Sequence, residues 1–136
     1  SGLAYSWHVP DKDGIYTAAL LTAIASEYGS LAKVFDEVVR EYGRSFYRRV
    51  DIPFNNGKEF INRNRDAITM GLQGLGSARQ VITIDGIKVV FGDNSWVLIR
   101  GSGTEPIIRI YAEAFTQERL DKLISYTVSL IKSFSK

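Results

Sequence analysis

Between Gln80 and Ala114 the chain is a series of short β-branched runs separated by turn residues. Gln80–Ile84 and Ile87–Phe91 flank Asp85-Gly86, a strong short-range hairpin signal. Gly92-Asp93-Asn94-Ser95 makes a second turn before Trp96–Ile99, and Arg100–Pro106 leads into a strand from Ile107 to Ala114. Strands joined this closely pair antiparallel, because a parallel pair needs a crossover of a dozen or more residues.

Helical periods surround this block. Residues 15–28 repeat apolar positions (Ala18, Leu21, Ile24, Ala25), with Asp13 as N-cap and Gly29 as stop. Ser30 opens a second helix to Tyr42, stopped by Gly43. Residues 45–52 read as a strand ended by Pro53, and Lys58 to about Met70 reads as one helix after the Asn55-Asn56-Gly57 loop. Thr116 caps a last helix with Leu120, Leu123, Ile124, Thr127, Ile131 and Phe134 on one face. From Arg44 the order β-α-β-β-β-β-α predicts an α+β fold. Its mostly antiparallel sheet of four or five strands carries helices packed on one face. Residues 1–42 read as an irregular start and two helices without strands of their own, and 43–136 as the part that carries the sheet.

Composition narrows the chemistry. The 136 residues contain no Cys and one His, which excludes disulfides, Cys-ligated zinc, thiol catalysis and His-rich metal sites. Lys and Arg number 17 against 15 Asp and Glu, a balance that argues for neither nucleic acid nor an anionic membrane as partner. The basic cluster Arg40, Arg44, Arg48 and Arg49 is interleaved with Glu37, Glu41 and Asp51 and reads as a solvated face. No apolar run approaches the roughly 20 residues of a membrane span, and the first residues lack the basic segment of a signal peptide, so a cytoplasmic protein is expected. His8 reads as a structural or surface histidine.

The run most able to carry chemistry is Arg100-Gly101-Ser102-Gly103-Thr104-Glu105-Pro106. Two glycines would let backbone N–H groups converge on an anion, Ser102 and Thr104 add hydroxyls, and Arg100 adds a planar fork suited to phosphate. Arg109 on the next strand could return to the same anion, and Glu105 reads as a partner for Arg100 or for a backbone N–H. The residues alone leave two readings, a phosphate site or a plain glycine-rich hairpin.

The stretch from Arg100 to Ala114, with Arg-x-Ser-Gly-Thr-Glu-Pro-x-x-Arg-x-Tyr at its heart, closely resembles the phosphate-binding loop of the α-D-phosphohexomutases. That family includes phosphoglucomutase, phosphomannomutase and phosphoglucosamine mutase. The Asp85–Val89 hairpin and the Trp96–Ile99 strand are similar too, and Asp13–Ala19 looks like the helix that closes the family's third domain. The resemblance implies that residues 43–136 are the fourth, C-terminal domain, of TATA-box-binding-protein-like fold, and that 1–42 are the tail of domain three with a connector. Ser1-Gly2 reads as the end of the family's sugar-binding Glu-x-Ser-Gly loop, lacking its Glu, or as a cloning remnant.

The implied chemistry moves a phosphoryl group between the C1 and C6 oxygens of a hexose phosphate, through a hexose 1,6-bisphosphate. A phosphoserine in the first domain and Mg²⁺ in the second take part, and no matching motif for either is found here, so the catalytic and metal sites are expected in other domains. Carried over, Arg100, Ser102, Gly103, Thr104 and Arg109 grip the phosphate that is not being transferred, and Gly101 has a backbone role only. The partners implied are a phosphorylated hexose and the remaining domains of a parent enzyme. A chain of this content is expected to lack mutase activity by itself. The competing expectations are a stand-alone module for a phosphorylated ligand and a fragment of a phosphoglucosamine mutase.

Overall fold

The computed structural model describes residues 2–134, so the reading of Ser1-Gly2 falls partly outside the described residues. The chain forms two compact units, Ser1–Arg44 and Ser45–Lys136. The first holds helices α1 (Gly14–Tyr28) and α2 (Leu31–Tyr42). Asp13 caps α1 by accepting the Tyr16 N–H at 2.8 Å, and Ser30 caps α2 by accepting the Lys33 N–H at 3.2 Å, as the sequence predicts. His8 stacks on Tyr16 and meets Asp13 at 2.8 Å, a structural role. Neither helix buries a single residue, and Ile15, Leu31, Phe35 and Tyr42 are all exposed.

The second unit contains β1 (Phe46–Pro53), α3 (Gly57–Arg63), α4 (Arg65–Gln73), β2 (Ala78–Ile82), β3 (Ile87–Phe91), β4 (Trp96–Gly101), β5 (Ile107–Ala114) and α5 (Gln117–Ser133). The strands form one sheet in the order β1-β5-β4-β3-β2, antiparallel throughout, so the α+β fold stands. Burial alternates along β5: Ile108, Ile110, Ala112 and Ala114 face the core while Ile107, Arg109, Tyr111 and Glu113 lie on the other, part-exposed face. This period of two is that of a sheet covered on one side. Ile61, Ile68 and Leu72 from α3 and α4, and Leu120, Leu123 and Ile131 from α5, close the core. Thr127 sits among them with its hydroxyl donating to the Leu123 carbonyl at 2.7 Å, which satisfies a polar group away from water.

Three sequence expectations change. The single helix from Lys58 to Met70 is two helices. Asn64 leaves helical geometry at φ −104°, ψ 18°, and its side-chain amide donates to the Phe60 carbonyl at 2.9 Å, competing with the helical ladder. Strand β2 begins at Ala78 and ends at Ile82, with an irregularity between Ala78 and Gln80, so Asp85-Gly86 belongs to a longer connection with Ile84 pointing into solvent. Strand β4 runs on to Gly101, which shortens the loop before β5. Pro53 is the last residue of β1, at a sheet edge where its missing N–H is tolerated.

The turn between β3 and β4 ties the sheet to α5. Asp93 accepts the Ser95 N–H at 3.0 Å and the Ser95 hydroxyl at 2.5 Å, and Arg119 Nε donates to Asp93 at 3.0 Å. Arg119 also donates to the Leu75 carbonyl and covers the Phe91 ring. Burial raises the Asp93 pKa, but the Ser95 donors and the Arg119 charge outweigh it and hold the carboxyl below the usual carboxylate value of 3.8. A depressed pKa contributes stability that is present above 3.8 and is lost as pH falls through the folded value. Asp93→Asn should therefore flatten the fall of melting temperature between about pH 5 and pH 2. A slope equal to wild type would show that this turn takes no part in acid unfolding.

Candidate functional site

The loop between β4 and β5 is held at both ends by its own backbone. Ser102 N–H donates to the Ile107 carbonyl at 3.0 Å, and Ile107 N–H donates to the Glu105 carbonyl at 2.8 Å. The Ser102 hydroxyl accepts the Glu105 N–H at 3.2 Å. The N–H groups of Gly103 and Thr104 and the Thr104 hydroxyl have no partner among the described residues. They lie beside an open cleft of about 950 Å³ lined by Ser102, Gly103, Thr104 and Glu105 on one side and by Asn56, Gly57, Lys58 and Asn62 on the other.

The opposite wall comes from the start of α3, far away in sequence. Gly101 makes this approach possible: a Cβ at that position would collide with the Lys58 backbone N and Cα. Gly57 is tight too, though against a side chain, since its Cβ would lie 2.7 Å from Ile108 Cγ1. The role of Gly101 is thus close packing of α3 against the end of β4. Neither Gly101 nor Gly103 has a positive φ, so no left-handed glycine shapes the loop. Its open donors sit in the bend after β4, which the Glu105 N–H closes onto the Ser102 hydroxyl.

The two arginines are neighbours across the sheet, Arg100 opposite Arg109. Each has its own carboxylate. Arg100 Nε lies 2.9 Å from Asp85 Oδ2, and Arg109 Nη2 donates to Glu105 Oε2. The expected Arg100–Glu105 pairing is therefore not formed; Glu105 is taken by Arg109, whose strand position brings it under the loop. Asp85 reaches Arg100 because the β2–β3 connection lies on β4. Gly86, at φ 100°, would drive a Cβ into the Ile99 carbonyl oxygen.

Arg100 lines a second, smaller cleft of about 240 Å³ with Asp85, Arg65 and Gly101, and Lys58 and Asn62 are walls of both clefts. The Arg109 side chain is only 20% exposed, and its Nε is buried without a hydrogen-bond partner. Asp51, on β1 opposite Arg109, has its pKa lowered chiefly by Arg49 and also by Arg109, against a smaller opposing effect of burial. So Ser102, Gly103 and Thr104 share the large cleft, Arg100 stands in the adjoining one, and Arg109 reaches the loop through Glu105. Sequence reasoning missed the α3 wall. Asn55-Asn56-Gly57 carries only a turn signal, and nothing in it indicates which strand end it will meet.

Among the described residues no group of three or more His, Cys, Asp or Glu could hold a metal ion. Among them, too, no helix is long and apolar enough to cross a membrane.

Residues 51–128 match the family description "Phosphoglucomutase/phosphomannomutase, C-terminal domain". A phosphopentomutase from Thermococcus kodakarensis is 32% identical over 129 residues, covering 93% of this chain and 27% of that protein. A probable phosphoglucosamine mutase from Pyrococcus horikoshii is 33% identical over 135 residues, covering 96% and 28%. A phosphoglucomutase/phosphomannomutase from Thermococcus kodakarensis is 30% identical over 137 residues, covering 99% and 28%. The chain thus spans about a quarter of the length of these relatives. The crystal structure of parafusin, a phosphoglucomutase from Paramecium, superposes with a TM-score of 0.67 at 22% identity, over 90% of this chain and 27% of that one. At that identity the superposition speaks for the fold. The loop sequence, the five-stranded sheet and the match over 51–128 agree, and the chain belongs to the phosphoglucomutase/phosphomannomutase family, with the C-terminal domain of that family in its second unit.

Proposed function

We propose that the second unit holds the non-transferred phosphate of a phosphorylated sugar while a phosphohexomutase exchanges phosphoryl groups between the C1 and C6 oxygens. The observation that carries this reading is the set of unpartnered donors at Gly103 and Thr104 beside the large cleft, with the guanidinium groups of Arg100 and Arg109 at the same strand ends. A dianionic phosphate needs many donors and positive charge nearby, and this arrangement supplies both. Arg100, Ser102, Gly103, Thr104 and Arg109 are its binding residues. The contribution is placement, on which in-line phosphoryl transfer depends.

The transferring phosphoserine, the Mg²⁺ site and the hexose 1,6-bisphosphate intermediate belong to the complete enzyme. Residues 1–42 are the tail of the preceding domain, and 43–136 are the phosphate-binding domain. The exposed apolar side chains of α1 and α2, with no buried residue in either helix, support a neighbour for the first unit and speak against a stand-alone module. Because its relatives are named for pentose, glucose or mannose, and glucosamine, the proposal is for the phosphate and not for one sugar. A cytoplasmic location belongs to the same proposal, because sugar phosphates are charged and do not cross a bilayer unaided.

An amide NMR titration with glucose 6-phosphate, with glucose as control, tests the reading. Shifts at Gly101–Thr104 and Arg109 with the phosphate ester alone are expected. No response, or an equal response to glucose, would overturn it. Gly103→Ala sharpens the test. No atom lies within 4 Å of a Cβ there and φ is not left-handed, so folding stability should change by less than about 1 kcal/mol. Phosphate affinity should fall, because the methyl group narrows the approach to the Gly103 and Thr104 donors. Unchanged affinity would remove Gly103 from the site.

A further inference from the structure

We infer that Lys58 is a phosphate-binding side chain of this cleft, its ammonium supplying a positive charge that the loop motif does not include. The inference rests on the phosphate-site reading and deepens it. Four charged residues line the large cleft: Lys58, Glu59, Arg63 and Glu105. Arg63 donates to Glu59 at 2.6 Å, and Glu105 is held by Arg109. Lys58 is the one left without a hydrogen-bond or ion-pair partner among the described residues. The cations of the loop motif are in a different state, since Arg100 stands beside Asp85 in the adjoining cleft and Arg109 is engaged by Glu105. An anion entering beside Ser102–Thr104 therefore meets one uncompensated positive side chain, and it is Lys58.

Its placement is enforced. Gly101 brings the Lys58 backbone directly against the end of β4, so the residue cannot drift away from the loop while the fold is intact. Lys58 is also a wall of both clefts, so it borders the Ser102–Thr104 donors on one side and the cleft of Arg100 on the other. A lysine suits this junction. Its three donors rotate freely on a flexible stem and act as a point charge, where a guanidinium would demand one planar approach. The ligand class is a phosphate monoester or inorganic phosphate.

The test is a titration of the 136-residue chain with inorganic phosphate at low ionic strength, following the Gly101–Thr104 amides in wild type, Lys58→Met and Lys58→Arg. Lys58 is exposed and Met keeps its length, so both variants should melt like wild type. Lys58→Met should raise the dissociation constant roughly tenfold, the loss expected of one charge-assisted hydrogen bond, and should weaken the dependence on salt. Lys58→Arg keeps the charge but not the freely rotating donors, so it should bind more tightly than Lys58→Met and less tightly than wild type. If Lys58→Met folds poorly, Lys58→Gln replaces it with the same expectation. A wild-type response that Lys58→Met or Lys58→Gln leaves unchanged overturns this inference alone. A wild-type chain with no phosphate response overturns it together with the phosphate-site reading.

Discussion

Gly101→Val is expected to lower the unfolding free energy by about 1–3 kcal/mol, the usual range for overpacking, and to remove the phosphate response of the loop. The reason is geometric. A Cβ at Gly101 collides with the backbone of Lys58, which no rotamer change can relieve. Either α3 lifts from the end of β4 or the strand end bends, and both changes separate the two walls of the cleft. Ile61, one turn further along α3, is 2% exposed and would be pulled from the core with it. Chemical denaturation reads the first effect and glucose 6-phosphate titration the second. Gly103→Val is the control, since the space beside Gly103 is open and the same side chain should leave stability close to wild type. Equal stability of the two variants would show that α3 does not seat on Gly101.

Arg109→Met is expected to cost the most phosphate affinity of any single change at the site, about 3 kcal/mol or more than a hundredfold. Two losses add. The first is a guanidinium that is only 20% exposed and carries a buried Nε with no partner, a donor well screened from water. The second is the release of Glu105. Its carboxylate lines the cleft, and Arg109 now engages it; freed, it would repel the incoming phosphate. Arg109→Met combined with Glu105→Gln should recover part of the loss, because the repulsive charge is gone while the lost donor is not. Affinity of the single variant within threefold of wild type would place Arg109 outside the site. Failure of Glu105→Gln to restore any affinity would show that the released carboxylate has no influence on binding.

Much of the fold is legible in the sequence because local signals and burial agree there. Asp13, Ser30 and Thr116 each cap the helix predicted to follow, and each accepts a backbone N–H within its first turn. The α5 positions Leu120, Leu123, Ile124, Thr127 and Ile131 recur at helical period and are the buried ones. The break at Asn64 is a different case. The apolar pattern runs through it, and the turn is decided by a side-chain amide bonding the Phe60 carbonyl. The β2 shift is similar, because Gln80–Ile84 alternates acceptably in either register and only pairing with β3 selects Ala78–Ile82.

For the candidate site, the sequence by itself determined the family of the loop, the donor types along Arg100–Pro106 and the strand that carries Arg109. These follow from residue order, since a strand, a short loop and the next strand must place their side chains next to one another. The tertiary structure decided what faces the loop. Gly101 admits α3, Asp85 takes Arg100, Glu105 turns to Arg109, and Lys58 stands unpaired at the junction of two clefts. None of these pairings is encoded by a local period or spacing. They arise where segments distant in the chain are packed together, and close packing and charge neutralisation then choose among partners that the order of residues leaves open.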